Sequence, residues 1–279
     1  MKPEVARYAV IGDPIEHSLS PRLFGLLFEQ LQLHATYRAE RVPAQELSAF
    51  LKRVRAGELH GFSVTLPHKV AITSHLDGLE SQAVRTGAVN CVRVEGKKLY
   101  GHNTDLSGLV RALHHHLGGH PTRKKVLILG AGGAARAAAV AMNSLSAAEI
   151  VIANRTPARA KAVADLVEHG TAVPLDYDLR VKCARADLII NATSVGLQSR
   201  ADPLPETCAL RSHQVVLDLV YRPLETALMR RARANGCTVI DGLWVLVYQA
   251  LFQLALWQGG DVEAMQAEAL HAALAPEAK

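Results

Sequence analysis

The stretch Lys125-Val126-Leu127-Ile128-Leu129-Gly130-Ala131-Gly132-Gly133-Ala134-Ala135-Arg136-Ala137 indicates the fold class of this 279-residue chain. After the lysine, the residues up to 129 form an apolar run without a polar break. Such a run is typical of a strand buried on both faces of a parallel sheet. The glycine turn that follows leads into an alanine-rich helix. The stretch therefore predicts an α/β protein with a parallel sheet.

The glycines of this turn predict a dinucleotide site. Gly130 allows a tight turn, Gly132 lets the backbone approach a pyrophosphate, and Ala135 keeps the helix close to the strand. The N-terminus of the helix adds free N–H groups and a positive dipole end. A strand before the motif and a helix after it strengthen a signal that is weak alone. A glycine turn in some other α/β protein is the alternative.

The end of the next strand, predicted over 149–153, indicates which dinucleotide binds. An NAD-binding unit usually has an Asp or Glu there, which holds the ribose 2′-hydroxyl. This chain instead has Asn154-Arg155-Thr156, with Arg159 one turn later. Two guanidinium groups can pair with a 2′-phosphate, and no carboxylate repels it. We therefore predict NADP, although Arg155 could also be an ordinary surface residue.

Composition excludes several classes of protein. With 49% apolar and 20% charged residues, the chain has the composition of a soluble globular protein. The net charge of +5 fits an anionic ligand, but Lys and Arg are scattered among few aromatics, which does not favour nucleic acid. The most apolar stretch, 243–257, is too short to span a bilayer. The four cysteines form no C-x-x-C pair and no signal peptide is seen, so we expect a reduced, cytoplasmic protein.

The first third of the chain alternates strands and helices. We predict strands over 8–11 and 36–42 and helices over 21–31 and 45–56. Ser20 is the natural N-cap of the first helix, whereas Ser18 has no such structural role. The two hydroxyls together at a strand–helix junction therefore suggest a polar ligand.

A second candidate site follows the short strand that ends at Val64. Thr65 and Lys69 would lie at its carboxyl end, where α/β sheets bind ligands, although Lys69 alone could be a surface charge. Either Thr104 or Asp105 could cap the helix that runs to about residue 117. The histidines at 114–116 cannot converge on one metal ion, because consecutive helical residues point in different directions.

The remainder of the chain continues the α/β pattern. Thr156 is expected to cap a helix that ends at Gly170. Strands are predicted over 188–192, 215–218 and 237–241, and helices over 242–257 and 261–274. Gln249 and Gln253 lie one turn apart on the apolar helix, and a buried amide needs partners in the protein or in a ligand.

Taken together, these motifs resemble the shikimate dehydrogenase family over nearly the whole chain. The motifs that carry the resemblance are Ser18-Leu19-Ser20-Pro21, Val64-Thr65-Leu66-Pro67-His68-Lys69, Gly87-Ala88-Val89-Asn90, Asn103-Thr104-Asp105, Gly130 to Arg136, Asn154-Arg155-Thr156, Asn191 to Leu197, Asp218 with Tyr221 and Pro223, and Gln249-Ala250. The resemblance implies a Rossmann NADP-binding domain (106–241) inserted into a smaller α/β substrate-binding domain (1–105 plus 242–279) that C-terminal helices complete. It implies reversible reduction of 3-dehydroshikimate to shikimate by NADPH, in aromatic amino-acid biosynthesis.

The resemblance also implies roles for individual residues. The substrate-binding residues would be Ser18, Ser20, Thr65, Asn90, Tyr221 and Gln249. The cofactor-binding residues would be Gly130, Ala131, Gly132, Gly133, Ala134, Asn154, Arg155, Thr156, Arg159, Thr193, Ser194 and Gly242. Lys69 and Asp105 match the catalytic pair, with no metal. Charged Lys69 suits reduction, since it can donate a proton, while Asp105 would orient Lys69 and a substrate hydroxyl. Which group is the base in oxidation stays open, because a neighbouring carboxylate favours the ammonium form.

This sequence departs from the family pattern at a few positions. Phe24-Gly25 replaces a common His-Asn, and Ser63, Cys91 and Val245 stand where Asn, Thr and Met are usual. These changes leave open a relative that uses quinate or aminoshikimate. A catalytically silent NADP-binding sensor is an alternative that Lys69 and Asp105 argue against. The oligomeric state, including a homodimer, is also open.

Overall fold

Two six-stranded sheets organise the chain in the computed structural model. The structure describes residues 5–175, 179–197, 199–259 and 267–278. The chain divides into two compact units, each with one sheet: Met1–Thr104 with Gln249–Glu277, and Asp105–Tyr248 with Ala278–Lys279. Strands and helices alternate along both units, as the predicted α/β fold class requires, and that class is confirmed.

The first unit contains a mixed sheet. Its strands are β1 (Ala6–Gly12), β2 (Ala35–Arg41), β3 (Gly61–Val64), β4 (Gly78–Leu79), β5 (Cys91–Glu95) and β6 (Lys98–His102). They lie in the order β2-β1-β3-β5-β6-β4, with β1 parallel to β2 and β3, and with β5 antiparallel to β3 and β6. Its first helices are α1 (Ser20–Gln30), α2 (Leu47–Arg55), α3 (His68–Ala71) and α4 (Ser81–Thr86). Short 3-10 turns at Ala44–Glu46 and Ile72–His75 precede α2 and follow α3.

The second unit contains a fully parallel sheet. Its strands are β7 (Lys125–Leu129), β8 (Glu149–Asn154), β9 (Gly170–Pro174), β10 (Leu188–Asn191), β11 (Val215–Asp218) and β12 (Thr238–Asp241), in the order β12-β11-β10-β7-β8-β9. Its helices are α5 (Thr104–Leu117), α6 (Gly133–Ser144), α7 (Pro157–Ala164), α8 (Leu179–Arg185), α9 (Ala227–Ala234) and the first part of α10 (Gly242–Gln258). The strand order reverses between β7 and β10, and ligands of doubly wound sheets bind outside the strand ends at that point.

Burial explains the unbroken apolar run of β7. Residues 126–129 are at most 1% exposed, because β8 and β10 flank the strand and side chains pack on both faces. In the first unit, Phe50 and Phe62 meet edge-to-face at 5.1 Å within the apolar core between α2 and the sheet. Each sheet therefore has a hydrophobic core of its own.

The second part of α10 packs against the sheet of the first unit. The Trp257 ring stacks on Tyr8 at 4.6 Å, and its Nε1 donates to the carbonyl oxygen of Val92 at 3.1 Å. A Cβ at Gly61 would lie 2.5 Å from that same nitrogen, so only glycine leaves room for the indole on β3. Helix α11 (Ala267–Leu274) and a 3-10 turn at Ala275–Glu277 follow.

Some local predictions need correction. Helix α7 ends at Ala164 rather than at Gly170, which begins β9, and no side-chain hydrogen bond from Thr156 caps it. Leu19, not Ser20, is the N-cap of α1. Strand β9 and helix α8 were not predicted. The predicted start of the last helix, over 261–266, lies outside the described residues.

The length and apolarity of the helices bear on whether any of them could cross a membrane. Within the ranges that the structure describes, no helix combines the length and apolarity needed to cross a bilayer.

Candidate functional site

The glycine turn after β7 has the geometry that the motif predicts. Gly130 has φ +105°, in the left-handed region that favours glycine. A Cβ at Gly130 would also lie 2.8 Å from the carbonyl oxygen of Ala192, which follows β10. The Gly130 N–H donates to Ala153 of β8 at 2.8 Å. The turn is therefore fixed between the ends of two neighbouring strands.

Helix α6 begins at Gly133, and its N-terminus can accept an anion. Its N-cap, Gly132, is exposed, and no side chain caps the helix. A Cβ at Gly132 would meet nothing within 4 Å, so the space beside this turn is open. Ala135 is fully buried, which agrees with close packing of the helix. A phosphate could approach these backbone N–H groups without displacing a side chain.

The end of β8 presents two cations. Arg155 and Arg159 are exposed, and among the described residues neither guanidinium has a hydrogen-bond or ion-pair partner. Asn154 donates to the carbonyl oxygen of Thr156 at 3.1 Å, which shapes the turn into α7. A glycine turn with open N–H groups and two unpaired arginines together fit a dinucleotide with an added phosphate.

The loop after β10 is held by a buried carboxylate that the sequence analysis assigned no role. Asn191 accepts from the backbone N–H and the hydroxyl of Thr193 at 3.1 and 2.7 Å. Its Nδ2 donates to Asp218 at 2.7 Å, and the hydroxyl of Thr226 donates to the other oxygen at 2.6 Å. Asp218 thus fixes Thr193, and Ser194 beside it is exposed. At the start of α10, a Cβ at Gly242 would lie 2.6 Å from the Leu219 carbonyl, which only glycine tolerates.

Burial raises the pKa of Asp218 to about 6, despite the donors from Thr226, Val220 and Asn191. Between about pH 4 and that value, the folded state holds a proton that the unfolded chain has released, so stability falls as pH rises. We expect the free energy of unfolding of the wild type to fall relative to Asp218→Asn by up to roughly 3 kcal/mol across this window. Urea denaturation at a series of pH values measures it. Parallel pH profiles for both proteins would contradict the expectation.

In the first unit, Ser18 and Ser20 lie at the junction between β1 and α1. The Ser18 hydroxyl accepts from the backbone N–H of Ser20 at 3.3 Å, which forms a local turn in front of α1 and is not a helix cap. Ser20 is buried in the first turn of α1, and Ser18 is partly exposed. The two predicted residues therefore lie together at this junction.

Thr65 and Lys69 follow β3, as predicted. The Thr65 backbone donates to Ile11 of β1 at 2.9 Å, and both side chains are partly exposed. The carbonyl oxygen of Lys69 accepts from the Val89 N–H at 2.7 Å. This bond places the backbone of Lys69 beside the segment that carries Asn90.

Asn90 is the centre of a buried hydrogen-bond cluster. Its Oδ1 accepts from the backbone N–H of Thr104 at 2.7 Å, and its Nδ2 donates to the Thr104 hydroxyl at 2.9 Å and to Gln249 Oε1 at 3.2 Å. The amide oxygen of Asn90 therefore satisfies the first backbone N–H of α5. Asn90 and Gln249, two predicted substrate-binding residues, are in direct contact.

Two other predicted residues belong to the second unit. Asp105 is the second residue of α5, and Tyr221 follows β11; both are partly exposed. The histidines at the end of α5 lie beside an aromatic ring, with His115 stacked on Trp244 at 4.5 Å. In the described ranges, no group of three or more His, Cys, Asp or Glu residues could hold a metal ion.

The departures from the family pattern lie mostly at buried positions. Phe24 is fully buried and stacks on Tyr37 at 4.2 Å, and a Cβ at Gly25 would meet nothing within 4 Å. Ser63 accepts from the Tyr37 hydroxyl at 2.6 Å and pairs in register with Cys91 across β3 and β5. Val245 is a buried residue of α10. Apart from Gly25, the changes concern buried residues.

Comparison with known proteins gives two family models that match the chain. One, described as the shikimate dehydrogenase substrate binding domain, matches residues 10–92, and another, described as shikimate / quinate 5-dehydrogenase, matches residues 112–216. A curated relative from Thermococcus kodakarensis, shikimate dehydrogenase (NADP(+)), is 40% identical over 258 residues, 92% of each chain. That of Moorella thermoacetica is 41% identical over 267 residues, 93% of this chain and 90% of the other.

A solved structure agrees over nearly the full length. Shikimate 5-dehydrogenase from Thermus thermophilus, in complex with NADP(H) and shikimate, superposes with a TM-score of 0.84 at 39% identity. The match covers 98% of this chain and 100% of that chain. The resemblance predicted from the sequence motifs is therefore confirmed, and the chain belongs to the shikimate dehydrogenase family.

Proposed function

We propose that this chain is an NADP-dependent shikimate dehydrogenase, which reversibly reduces 3-dehydroshikimate to shikimate in aromatic amino-acid biosynthesis. The observation that carries the proposal is the match, over nearly all of both chains, to the Thermus thermophilus enzyme solved with NADP(H) and shikimate. The relatives named above are shikimate dehydrogenases (NADP(+)) that align over at least 90% of their own length.

The second unit would hold the cofactor. The turn at 130–134 would take the pyrophosphate on its backbone N–H groups, with Gly132 leaving the approach open. Arg155 and Arg159, with Asn154 and Thr156, would pair with the 2′-phosphate. Thr193, Ser194 and Gly242 would border the remainder of the cofactor. When bound, NADPH supplies the reducing equivalent as a hydride.

The first unit would hold the substrate. Ser18, Ser20, Thr65, Asn90 and Gln249 offer hydroxyl and amide groups suited to the hydroxyls and the carboxylate of a cyclohexene acid. Tyr221 of the second unit would add a phenol. The Asn90–Gln249 contact supports this assignment, since it fixes two polar side chains in a buried setting.

Lys69 and Asp105 would carry the proton transfer. Reduction of a carbonyl places negative charge on its oxygen, and an ammonium at that oxygen both stabilises the charge and donates the proton. Lys69 would be this group, and Asp105 would orient Lys69 and a substrate hydroxyl. In oxidation the same oxygen must lose a proton to a base.

Other properties stay predictions. The substrate-binding domain would comprise 1–105 plus 242–279, and the NADP-binding domain 106–241. A cytoplasmic location is supported by the four cysteines, which are all buried thiols outside any disulfide. A homodimer is an assembly that light scattering of the purified protein would test.

The proposal is tested by NADP reduction with shikimate or quinate as substrate. We expect kcat/KM for shikimate to exceed that for quinate by about tenfold or more, because an added hydroxyl must find a partner in a site built without one. A preference for quinate would indicate the quinate-using relative. NADP binding without turnover of either acid would indicate a silent sensor, and both results would contradict the proposal.

A further inference from the structure

Four polar side chains form a series of hydrogen bonds that ends at Gln249. The Tyr37 hydroxyl donates to Ser63 at 2.6 Å, the Ser63 hydroxyl donates to Gln253 Oε1 at 2.5 Å, and Gln253 Nε2 donates to Gln249 Oε1 at 2.6 Å. Ser63, Gln249 and Gln253 are 6%, 7% and 1% exposed. All four residues belong to the first unit. Polar groups that are deeply buried require hydrogen-bond partners, and this series of hydrogen bonds supplies them within the core.

One backbone group fixes which way the Gln253 amide points. Gln253 Nε2 lies 3.3 Å from the carbonyl oxygen of Asn90. A carbonyl only accepts, so the NH₂ group of Gln253 must face it and its oxygen must face Ser63. The same NH₂ group then donates to Gln249 Oε1. The orientation of Gln253 thus follows from the network and not from a choice between amide flips.

A second backbone group fixes Asn90 in the same way. Asn90 Oδ1 accepts from the N–H of Thr104 at 2.7 Å, and a backbone N–H only donates. Asn90 Nδ2 is therefore the group that faces Gln249, at 3.2 Å. Two NH₂ groups, each set by a different backbone atom, converge on Gln249 Oε1 and use both of its lone pairs.

We infer that Gln253 is a positioning residue for substrate recognition. Together with Asn90, it orients the Gln249 amide so that Oε1 faces the protein interior and Nε2 donates a hydrogen bond to the substrate. The inference rests on the proposed function, in which Gln249 binds substrate. The matching substrate group is an oxygen that accepts, a hydroxyl or carboxylate oxygen of the cyclic acid. Tyr37 and Ser63 in turn hold the oxygen of Gln253.

Two variants at residue 253 test the inference. Gln253→Met keeps the length of the side chain and removes its donor, and Gln253→Glu places a carboxylate against Gln249 Oε1, which favours the flipped amide. We expect KM for shikimate to rise by about tenfold in the first and by more in the second, the scale of one buried hydrogen bond. The KM for NADP should stay within about twofold, and kcat should change less than KM.

The matched control is Gln258→Met on the same helix. Gln258 donates to the Tyr8 hydroxyl at 2.7 Å, which is not one of the hydrogen bonds through Ser63. The Michaelis constants for shikimate and NADP should therefore be unchanged in this variant. An unchanged KM for shikimate in both residue-253 variants would show that Gln253 does not position Gln249. An equal rise of the Michaelis constants for shikimate and NADP would indicate a merely structural role. Either result would overturn the inference.

A measurement that needs no turnover separates this inference from the proposed function. In NMR spectra of the wild type, the side-chain amide protons of Gln253 should exchange slowly with solvent, and those of Gln249 should exchange faster in Gln253→Met. A wild type that does not oxidise shikimate would overturn the proposed function. The amide exchange would still report whether Gln253 holds the amide of Gln249, and rapid exchange at Gln253 would overturn the inference.

Discussion

Lys69→Ala is expected to lower turnover with shikimate by about a hundredfold or more, the usual scale for a positioned acid–base group. The variant loses the ammonium that would donate the proton in reduction. The affinity for shikimate should change less, because Ser18, Ser20, Asn90 and Gln249 keep their positions. Steady-state kinetics in both directions measure the effect. Lys52→Ala, at an exposed position of α2, is a control for loss of a lysine in the same unit.

The partner variant Asp105→Asn tests whether the two residues act together. The amide keeps the shape of the side chain and removes the charge that would orient Lys69, so turnover should again fall. If the residues form one catalytic unit, the double variant should be about as slow as Lys69→Ala alone. Turnover far below both single variants would show independent roles. Near-normal turnover of Lys69→Ala would end the assignment.

The combined variant Arg155→Ala/Arg159→Ala is expected to raise KM for NADP by roughly ten- to a hundredfold, the scale of one or two charge-assisted hydrogen bonds. The KM for NAD should be nearly unchanged, because NAD lacks the phosphate that these groups would bind. In the described residues both guanidiniums are without partners, so their removal breaks no internal bond. Kinetics with each cofactor at saturating shikimate give the comparison.

A lysine of the same helix provides the control for the arginine variant. Lys161→Ala removes a cation from α7 that is already paired with Asp165 at 2.7 Å. Its cofactor preference should match that of the wild type. Equal losses with NADP and NAD in the arginine variant would mean that Arg155 and Arg159 do not bind the 2′-phosphate.

The sequence predicts best the features that local rules determine. The run at 125–129, the glycines after it and the cations after β8 are consecutive or nearly so, and strand, turn and helix each have their own residue preferences. The need for glycine at 130 was predicted as a tight turn. The structure adds a second cause, the Ala192 carbonyl, which comes from a distant strand.

Features that depend on distant partners were not predictable. Asn90 accepts from the first backbone N–H of α5 from 14 residues away, and no local pattern indicates that partner. Ser63 and Gln253 are 190 residues apart, and no pattern in the sequence links them. The predicted helix end at Gly170 was wrong, because a single glycine can end a helix or begin a strand where the backbone is crowded. Here a Cβ at Gly170 would overlap the Ala164 carbonyl oxygen.

The packing of Trp257 over Gly61 has a consequence for the order of folding. The first unit takes its sheet from the first residues of the chain and its covering helix from residues beyond 248. During synthesis, β1 and β3 leave the ribosome long before the indole that packs on them, whereas the strands of the second unit emerge in one continuous segment. The Rossmann sheet can therefore form first. In the nascent N-terminal sheet, Tyr8 and Gly61 stay uncovered until α10 has been synthesised.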